Sequence, residues 1–391
     1  MLNGPFSPWP SFTEEEANAV RNVLLSNHVN YWTGQECRKF EQEFAAFSDA
    51  QYGIALANGT LALDLALKGL GIGPGDEVVV TPRTFLASVS SIVTAGATPV
   101  FADVDRDSQN ITPETAREVI TARTKAIICV HLAGWPCEMD GFMALAEEHD
   151  LYVIEDCAQS HGARYKGRSV GSIGHVGCWS FCQDKIMTTG GEGGMVTTND
   201  RALWKRMWAY KDHGKSWDAV YERDHPPGFR WLHESFGTNW RMTEMQGVVG
   251  RIQLKRMPAW TAIRQRNAKE IWNVARQISG LRAPEVPRDT EHGAYKCYVF
   301  VEPDKLANGW DRDRIQQEVL ESGVPCFSGS CSEVYLEKAF DNTPWRPEQR
   351  LPVARELGMT SLMFLVHPTL SEAEIEMTCA VLSEVMVRAM G

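Results

Sequence analysis

Apolar and polar positions along the chain switch repeatedly between two periods. Thr13-Glu14-Glu15-Glu16 has the form of a capping box and predicts a helix to about residue 26, with a second helix over 36–48. Residues 54–57 form a short apolar run. Asn58-Gly59-Thr60 follows as a turn into a helix rich in Leu and Ala that ends near Gly69 and Gly71. From there the two patterns alternate. Strands are predicted over 77–81, 98–101, 125–131 and 151–154, and helices over 87–95, 113–120 and 140–149. A further apolar lead-in reaches Ser180, and an alternating run starts after Gly194. Strands that alternate with helices and read as continuous apolar runs predict an α/β fold with a largely parallel, buried sheet.

The later chain carries a different pattern. Residues 201–211 are helical, and 214–237 are rich in Gly, Pro, His and charge, which predicts a long loop. Residues 242–279 predict one long helix or two that meet near Pro258. Composition shifts to Pro and charge around 280–291. Beyond it, strands over 297–301 and 323–326 and helices over 312–322 and 371–390 predict a smaller α+β unit. A chain of 391 residues exceeds the usual size of a single core. The expected division is a large domain over 1–257 and a small C-terminal domain over 258–391.

Composition narrows the function classes. A net charge of −11 argues against a broad nucleic-acid face. Residues 1–10 lack the basic and apolar regions of a leader, and no apolar run approaches bilayer length. Ten scattered cysteines contain no Cys-x-x-Cys pair, so neither a zinc site nor a disulfide framework is expected. A cytoplasmic location fits free thiols.

The candidate chemistry centres on Lys185. It lies between the apolar lead-in ending at Ser180 and a loop with four glycines, at 190, 191, 193 and 194. A lysine in such a setting either loses its charge or uses it, and glycines allow a ligand to approach the backbone. Asp156 lies just past an apolar strand, where open α/β sheets bind ligands. A carboxylate there is paired, capped or chemically used. Lys185 with an upstream acid suits a pyridine cofactor, which needs an amine to bind it and an acid to keep its ring nitrogen protonated. Asn58-Gly59-Thr60 provides either an ordinary helix cap or a seat for phosphate. The glycines at 71, 73 and 75 follow a helix, not a strand, and read as a turn.

The ordered motifs resemble those of the DegT/DnrJ/EryC1/StrS family of pyridoxal-phosphate-dependent nucleotide-sugar aminotransferases. They are Asn58-Gly59-Thr60, Thr81-Pro82-Arg83-Thr84-Phe85, Ala95-Gly96-Ala97-Thr98-Pro99-Val100-Phe101, Glu155-Asp156-Cys157-Ala158-Gln159-Ser160-His161-Gly162, Gly171-Ser172-Ile173-Gly174, Ser180-Phe181, Lys185, Gly191-Glu192-Gly193-Gly194, Asp212-His213-Gly214 and Asn239-Trp240-Arg241-Met242. The resemblance implies a fold-type-I transferase, similar to aspartate aminotransferase, with a mixed and mostly parallel sheet. It implies that Lys185 binds the cofactor covalently and shuttles protons, and that Asp156 pairs with the ring nitrogen. Gln159 would lie near the phenolic oxygen and Phe85 on the ring face. Gly59, Thr60 and Ser180 would hold the phosphate, joined by Asn239 from a neighbouring subunit. That implies a homodimer with shared active sites. Arg241, Lys211 and His213 are candidates for substrate contacts, with structural ion pairing as the alternative. The implied substrates are a nucleotide-linked keto sugar and an amino donor, L-glutamate, with pyridoxamine 5′-phosphate as the half-reaction form. The 214–237 loop and residues 323–345 are expected to select the sugar.

Two features depart from the family's pattern. Gly190 adds a glycine before Gly191-Glu192, and Cys182-Gln183-Asp184 replaces a commoner sequence containing asparagine or histidine. Other reactions on the same fold are a sugar dehydration, which lysine at 185 argues against, and a desulfuration, which would need Cys326 or Cys331 on a mobile loop. A non-catalytic cofactor-binding regulator is the remaining alternative.

Overall fold

The main sheet is doubly covered, and its strands show why apolar runs replace alternation in this chain. The structure, a computed structural model, describes residues 5–391. Residues 1–4, the first part of the stretch read for a leader, lie outside the described residues. In chain order the strands are β1 (Tyr52–Leu56), β2 (Glu77–Val80), β3 (Thr98–Phe101), β4 (Thr124–Val130), β5 (Tyr152–Asp156), β6 (Arg164–Tyr165), β7 (Arg168–Ser169), β8 (Val176–Ser180) and β9 (Gly194–Thr198). Seven of them form one sheet in the order β1-β9-β8-β5-β4-β2-β3. All run parallel except β9, which is antiparallel to both neighbours. Successive side chains point to opposite faces. Val78, Val80, Ile128 and Ile154 join the core on one face, with the helix Gly59–Leu70. Val79, Ile127 and Val153 join the core on the other, with Phe142 and Leu145 from the helix Met139–His149. With both faces buried, each strand must be apolar throughout.

The second unit holds β10 (Leu281–Arg282), β11 (Thr290–Glu291), β12 (Cys297–Val301), β13 (Cys326–Phe327) and β14 (Ser361–Phe364). Four of these make an antiparallel sheet in the order β10-β12-β14-β13, while β11 pairs with β6 beside the main sheet. The helices Arg312–Glu321 and Glu372–Met390 contribute to the apolar core of the smaller sheet through Ile315, Val319, Leu382 and Val385.

The two cores are joined by one helix, Glu244–Ala275, which continues through Pro258. Pro258 lies on the exposed side, and burial of the helix against both units outweighs the lost hydrogen bond. Leu254 and Met257 belong to the core of the main sheet, whereas Ala268, Ile271, Trp272 and Ala275 belong to that of the smaller one. A cut between 257 and 258 therefore falls inside a continuous helix. We propose that the units divide within it, between those two sets of residues, with Phe6 also seated in the second core.

Other differences from the expected elements are local. The helix expected over 113–120 stops at Arg117. The 214–237 loop contains a helical turn, Trp217–Tyr221, which sets Trp217 against Trp204 and Trp208. The pairing β6–β7, the helix Pro352–Thr360 and β14 gave no clear period, because each is short or takes its pattern from tertiary contacts. Among the described residues no helix is long and apolar enough to cross a membrane.

The long helix packs tightly on the helix Glu36–Phe47. A Cβ on Gly247 would come 2.8 Å from the backbone N of Cys37 and 3.0 Å from the carbonyl carbon of Glu36. Backbone cannot rotate aside, so Gly247→Ala is expected to destabilise the protein by about 1–3 kcal/mol. That outweighs the gain of roughly 1 kcal/mol from helix propensity. Denaturant unfolding measures it; an unchanged or higher midpoint would contradict the packing described here.

Candidate active site

The site forms at the carboxyl ends of the parallel strands. Glu155 and Asp156 end β5 and, as neighbours in a strand, leave it on opposite faces. Glu155 is fully buried. Its Oε1 accepts from the N–H groups of Ile173 (2.9 Å) and Gly174 (2.7 Å). Its Oε2 accepts from Gly171 N (2.8 Å) and His131 Nε2 (3.0 Å). His131 Nδ1 accepts from Cys137 N at 2.9 Å, which makes Nε2 the protonated nitrogen. Burial acts to raise the Glu155 pKa, but His131 and these N–H donors hold it below the usual value. His131, Glu155 and Cys157 converge closely enough to suggest a metal site. The hydrogen bonds of His131 and Glu155 already occupy their ligand atoms.

Asp156 emerges on the face of the Gly59–Leu70 helix. Its Oδ2 accepts from Ser88 Oγ at 2.7 Å and its Oδ1 from Ala158 N at 3.1 Å. Burial pushes its pKa up; both hydrogen bonds and the positive charge of Lys185 act against that push. Gln159, two residues after the turn begins, accepts from Ala133 N at 2.8 Å, which fixes its amide at the cavity wall.

Gly59 and Thr60 open the Gly59–Leu70 helix, and Asn58 caps it by accepting from Leu61 N at 3.0 Å. A Cβ on Gly59 would lie 2.5 Å from Cβ of Ser180, and one on Gly194 would lie 2.2 Å from the Asn58 carbonyl oxygen. Glycine at both positions lets the helix N-terminus, Ser180 and the start of β9 meet. Gly190 and Gly191 have φ of 93° and 118°, with open space where a Cβ would point. The added glycine thus takes part in a left-handed pair that carries the loop from Thr189 to Glu192.

Lys185 lies on the loop between β8 and β9, its side chain 17% exposed. Its Nζ is 3.7 Å from Asp184 Oδ1 and 5.3 Å from the centroid of the Tyr295 ring. The Tyr295 hydroxyl donates to Asp184, and Trp9 Nε1 donates to the Lys185 carbonyl at 2.9 Å. Burial favours the neutral acid at Asp184, but Lys185, Tyr295 and Lys296 together lower its pKa. Asp184, Tyr295, Lys296, Trp9 and Ser88 were not singled out in the sequence. Only Asp184, adjacent to Lys185 and within a departure from the family's pattern, carried a readable signal.

Two cavities meet at Lys185. The inner one, about 610 Å³, is lined by Gly59, Thr60, Phe85, Asp156, Gln159, Ser180 and Lys185. The outer one, about 580 Å³, runs from Phe85 and Lys185 to β12 and β14 of the second unit. Phe85 is 71% exposed at their junction.

Four expected site residues lie elsewhere. Asn239 is exposed and does not line the cavity of its own chain. Lys211 is turned into the core: it is wholly buried, 3.4 Å from Glu41 Oε1 and 3.9 Å above the Tyr31 ring. Of the two alternatives for Lys211, the geometry favours structural ion pairing over a substrate contact, because that pair consumes its charge. Arg241 Nη1 donates to the buried Asp212 at 2.6 Å, and His213 is exposed with φ of 59°. Neither lines either cavity. Cys326 is buried in β13. Cys331 is exposed at the outer cavity, and partial desolvation raises its pKa, away from a reactive thiolate.

Pyridoxal phosphate fits the inner cavity. A helix N-terminus with two hydroxyls suits its dianion, the buried Asp156 suits a protonated ring nitrogen, and the amine of Lys185 is on the same wall.

Comparison with known proteins agrees with this geometry. The model of the DegT/DnrJ/EryC1/StrS aminotransferase family matches residues 10–383. The chain is 33% identical over 380 residues to a GDP-perosamine synthase of Escherichia coli O157:H7, covering 96% of each chain. It is 35% identical over 375 residues to a UDP-N-acetyl-3-dehydro-α-D-glucosamine 3-aminotransferase of Acidithiobacillus ferrooxidans, covering 96% of this chain and 94% of that one. A crystal structure of an aminotransferase from Psychrobacter cryohalolentis superposes with a TM-score of 0.96 at 66% identity, over 99% of this chain and 100% of the other. A motif set read in order, a fold-type-I sheet and a lysine–aspartate cavity therefore meet in one assignment: the chain belongs to the DegT/DnrJ/EryC1/StrS aminotransferase family, the pyridoxal-phosphate-dependent sugar transaminases.

Proposed function

We propose that this protein transfers an amino group from L-glutamate to the keto group of a nucleotide-linked sugar, for amino-sugar biosynthesis. The observation that carries the reading is the convergence of Lys185, Asp156 and the Gly59–Thr60 helix terminus on one cavity that opens into a second, substrate-sized one. The nucleotide sugars in the names of the two relatives support that substrate class.

When bound, pyridoxal phosphate supplies an electron sink that allows a carbon beside nitrogen to lose a proton. The chain supplies the rest. The backbone N–H groups at Gly59 and Thr60, with the Thr60 and Ser180 hydroxyls, bind the phosphate. Asp156, held by Ser88 and Ala158, keeps a proton on the ring nitrogen. Gln159, whose amide oxygen accepts from Ala133 N, would face the phenolic oxygen, and Phe85 would cover one face of the ring. Lys185 would hold the cofactor through its Nζ, and that amine, once free, would accept and return the proton. The exposure of Asn239 outside its own cavity supports a role in the site of a second subunit, and hence a homodimer. A desulfurase reading is disfavoured by the burial of Cys326 and the raised pKa of Cys331.

Lys185→Ala is expected to lower turnover by on the order of 10³-fold or more, with an unchanged unfolding midpoint and loss of covalently held cofactor absorbance. Substantial activity in that folded variant would overturn the assignment. Asp156→Asn is expected to cost on the order of 10²-fold or more in kcat, because the ring nitrogen loses its charged partner. Stopped-flow rates with saturated cofactor measure it, and an unchanged rate would remove Asp156 from that role. Finally, L-glutamate should convert the holoenzyme to the pyridoxamine form, and a 3-keto or 4-keto nucleotide sugar should convert it back, both followed by absorbance. No conversion by glutamate, or by any keto sugar in the panel, would refute the corresponding half of the proposal.

A further inference from the structure

The outer cavity contains a cation that no described residue pairs with directly. Lys296 begins the approach to β12 and lines this cavity beside Lys185. Its Nζ lies 4.9 Å from the centroid of the Tyr295 ring, the ring that also neighbours Lys185 Nζ. Among the described residues it makes no hydrogen bond and has no carboxylate within 4.0 Å. Asp184 acts on it through its charge but is itself engaged by Lys185 and the Tyr295 hydroxyl.

The surroundings add positive charge and unused donors. Arg264 is buried behind Tyr295 and over Trp9, with Nη1 donating weakly to the Tyr295 carbonyl at 3.4 Å and Nε and Nη2 unpartnered. His367 lines the cavity; Thr369 Oγ1 donates to Pro8 O and accepts from His367 Nδ1 at 2.9 Å, which leaves Nε2 an acceptor without a partner. Burial pulls Lys296 down to about 8; Asp184 resists this, while Arg264 and Lys185 add to it. An uncompensated ammonium in a wall of this kind is costly until an anion arrives.

We propose that Lys296 is the seat for a carboxylate carried by the reacting substrate. Sharing one aromatic neighbour with Lys185 places that carboxylate close to the reacting carbon, whereas the cofactor's phosphate has its own seat at Gly59 and Thr60. The carboxylate belongs to the amino donor or to a uronic-acid nucleotide sugar. This deepens the aminotransferase reading and rests on it.

Dead-end ligands test the seat without turnover. The holoenzyme and its Lys296→Gln and Lys296→Arg variants are titrated with two matched pairs, glutarate against glutaramide and UDP-glucuronate against UDP-glucose, following cofactor absorbance. Wild type is expected to bind the carboxylate member of at least one pair about tenfold or more tightly, as a charge-assisted hydrogen bond would give. Lys296→Gln should abolish that preference and Lys296→Arg should keep most of it. A preference in the glutarate pair assigns the seat to the donor; one in the UDP pair assigns it to the sugar. No preference in wild type, or one that survives Lys296→Gln, overturns the proposal, and the wild-type comparison stands even where a variant fails to fold. Equal weakening of UDP-glucose and UDP-glucuronate marks a diphosphate contact and overturns it as well. Because these equilibria need no reaction, failed transamination with glutamate or keto sugars would sink the function proposed above and leave this result standing.

Discussion

The carboxylate of Glu155 is the fixed point on which the active site depends. It lies at the carboxyl end of a central parallel strand and takes hydrogen bonds from three backbone N–H groups of the Gly171–Gly174 turn and from His131. Each donor favours the ionised acid against the cost of burial. The consequence is geometric. With Glu155 anchored on one face of the sheet, the next residue, Asp156, is held on the other, its oxygens aimed between Ser88 and Ala158. Two motifs far apart in sequence are thus tied by one buried group. The role of the Gly171-Ser172-Ile173-Gly174 motif is to complete that acid's hydrogen bonding rather than to touch a ligand.

Around this anchor the site is built from close approaches and from contacts with the second unit. Gly59 against Ser180 and Gly194 against the Asn58 carbonyl bring a helix N-terminus and two strand ends closer than any side chain would permit. The Lys185 loop is then held from outside the main sheet, by the Tyr295 hydroxyl on Asp184 and by Trp9 on the Lys185 carbonyl. The lysine that reacts therefore sits where the two units meet, and the outer cavity is walled by both. The inner cavity lies on the main sheet, while the outer one is lined by β12, β14 and the loop around Cys331.

Much of this was legible because local physics produces it. Val78-Val79-Val80 read as a buried strand and is one, Thr13 with Glu16 is a capping box in the structure as in the sequence, and Lys185 next to a glycine-rich loop lies on the cavity wall. What the sequence left open depended on distant partners. Lys211 belongs to a motif placed among substrate contacts, yet Glu41 and Tyr31, far earlier in the chain, bury it. The strand Ser361–Phe364 takes its register from β12 and β13 and so left no period of its own. Pro258 suggested a break, but packing against two cores keeps the helix continuous.

By itself, then, the sequence determined the alternating α/β framework, and it singled out Lys185, the acid at the end of β5 and the glycines, which the fold brings to one cavity. Each of these follows from periodicity, from the preferences of short segments or from motifs read in order. Only the tertiary structure decided which charges are free. Lys211, Arg241 and Lys296 are all cations in polar or mixed sequence. The first two are neutralised by Glu41 and Asp212, and the third is left facing a cavity. Electrostatic pairing acts through space between residues hundreds of positions apart or only a few, so a charge's availability to a substrate is a property of the fold and not of its neighbours in the chain.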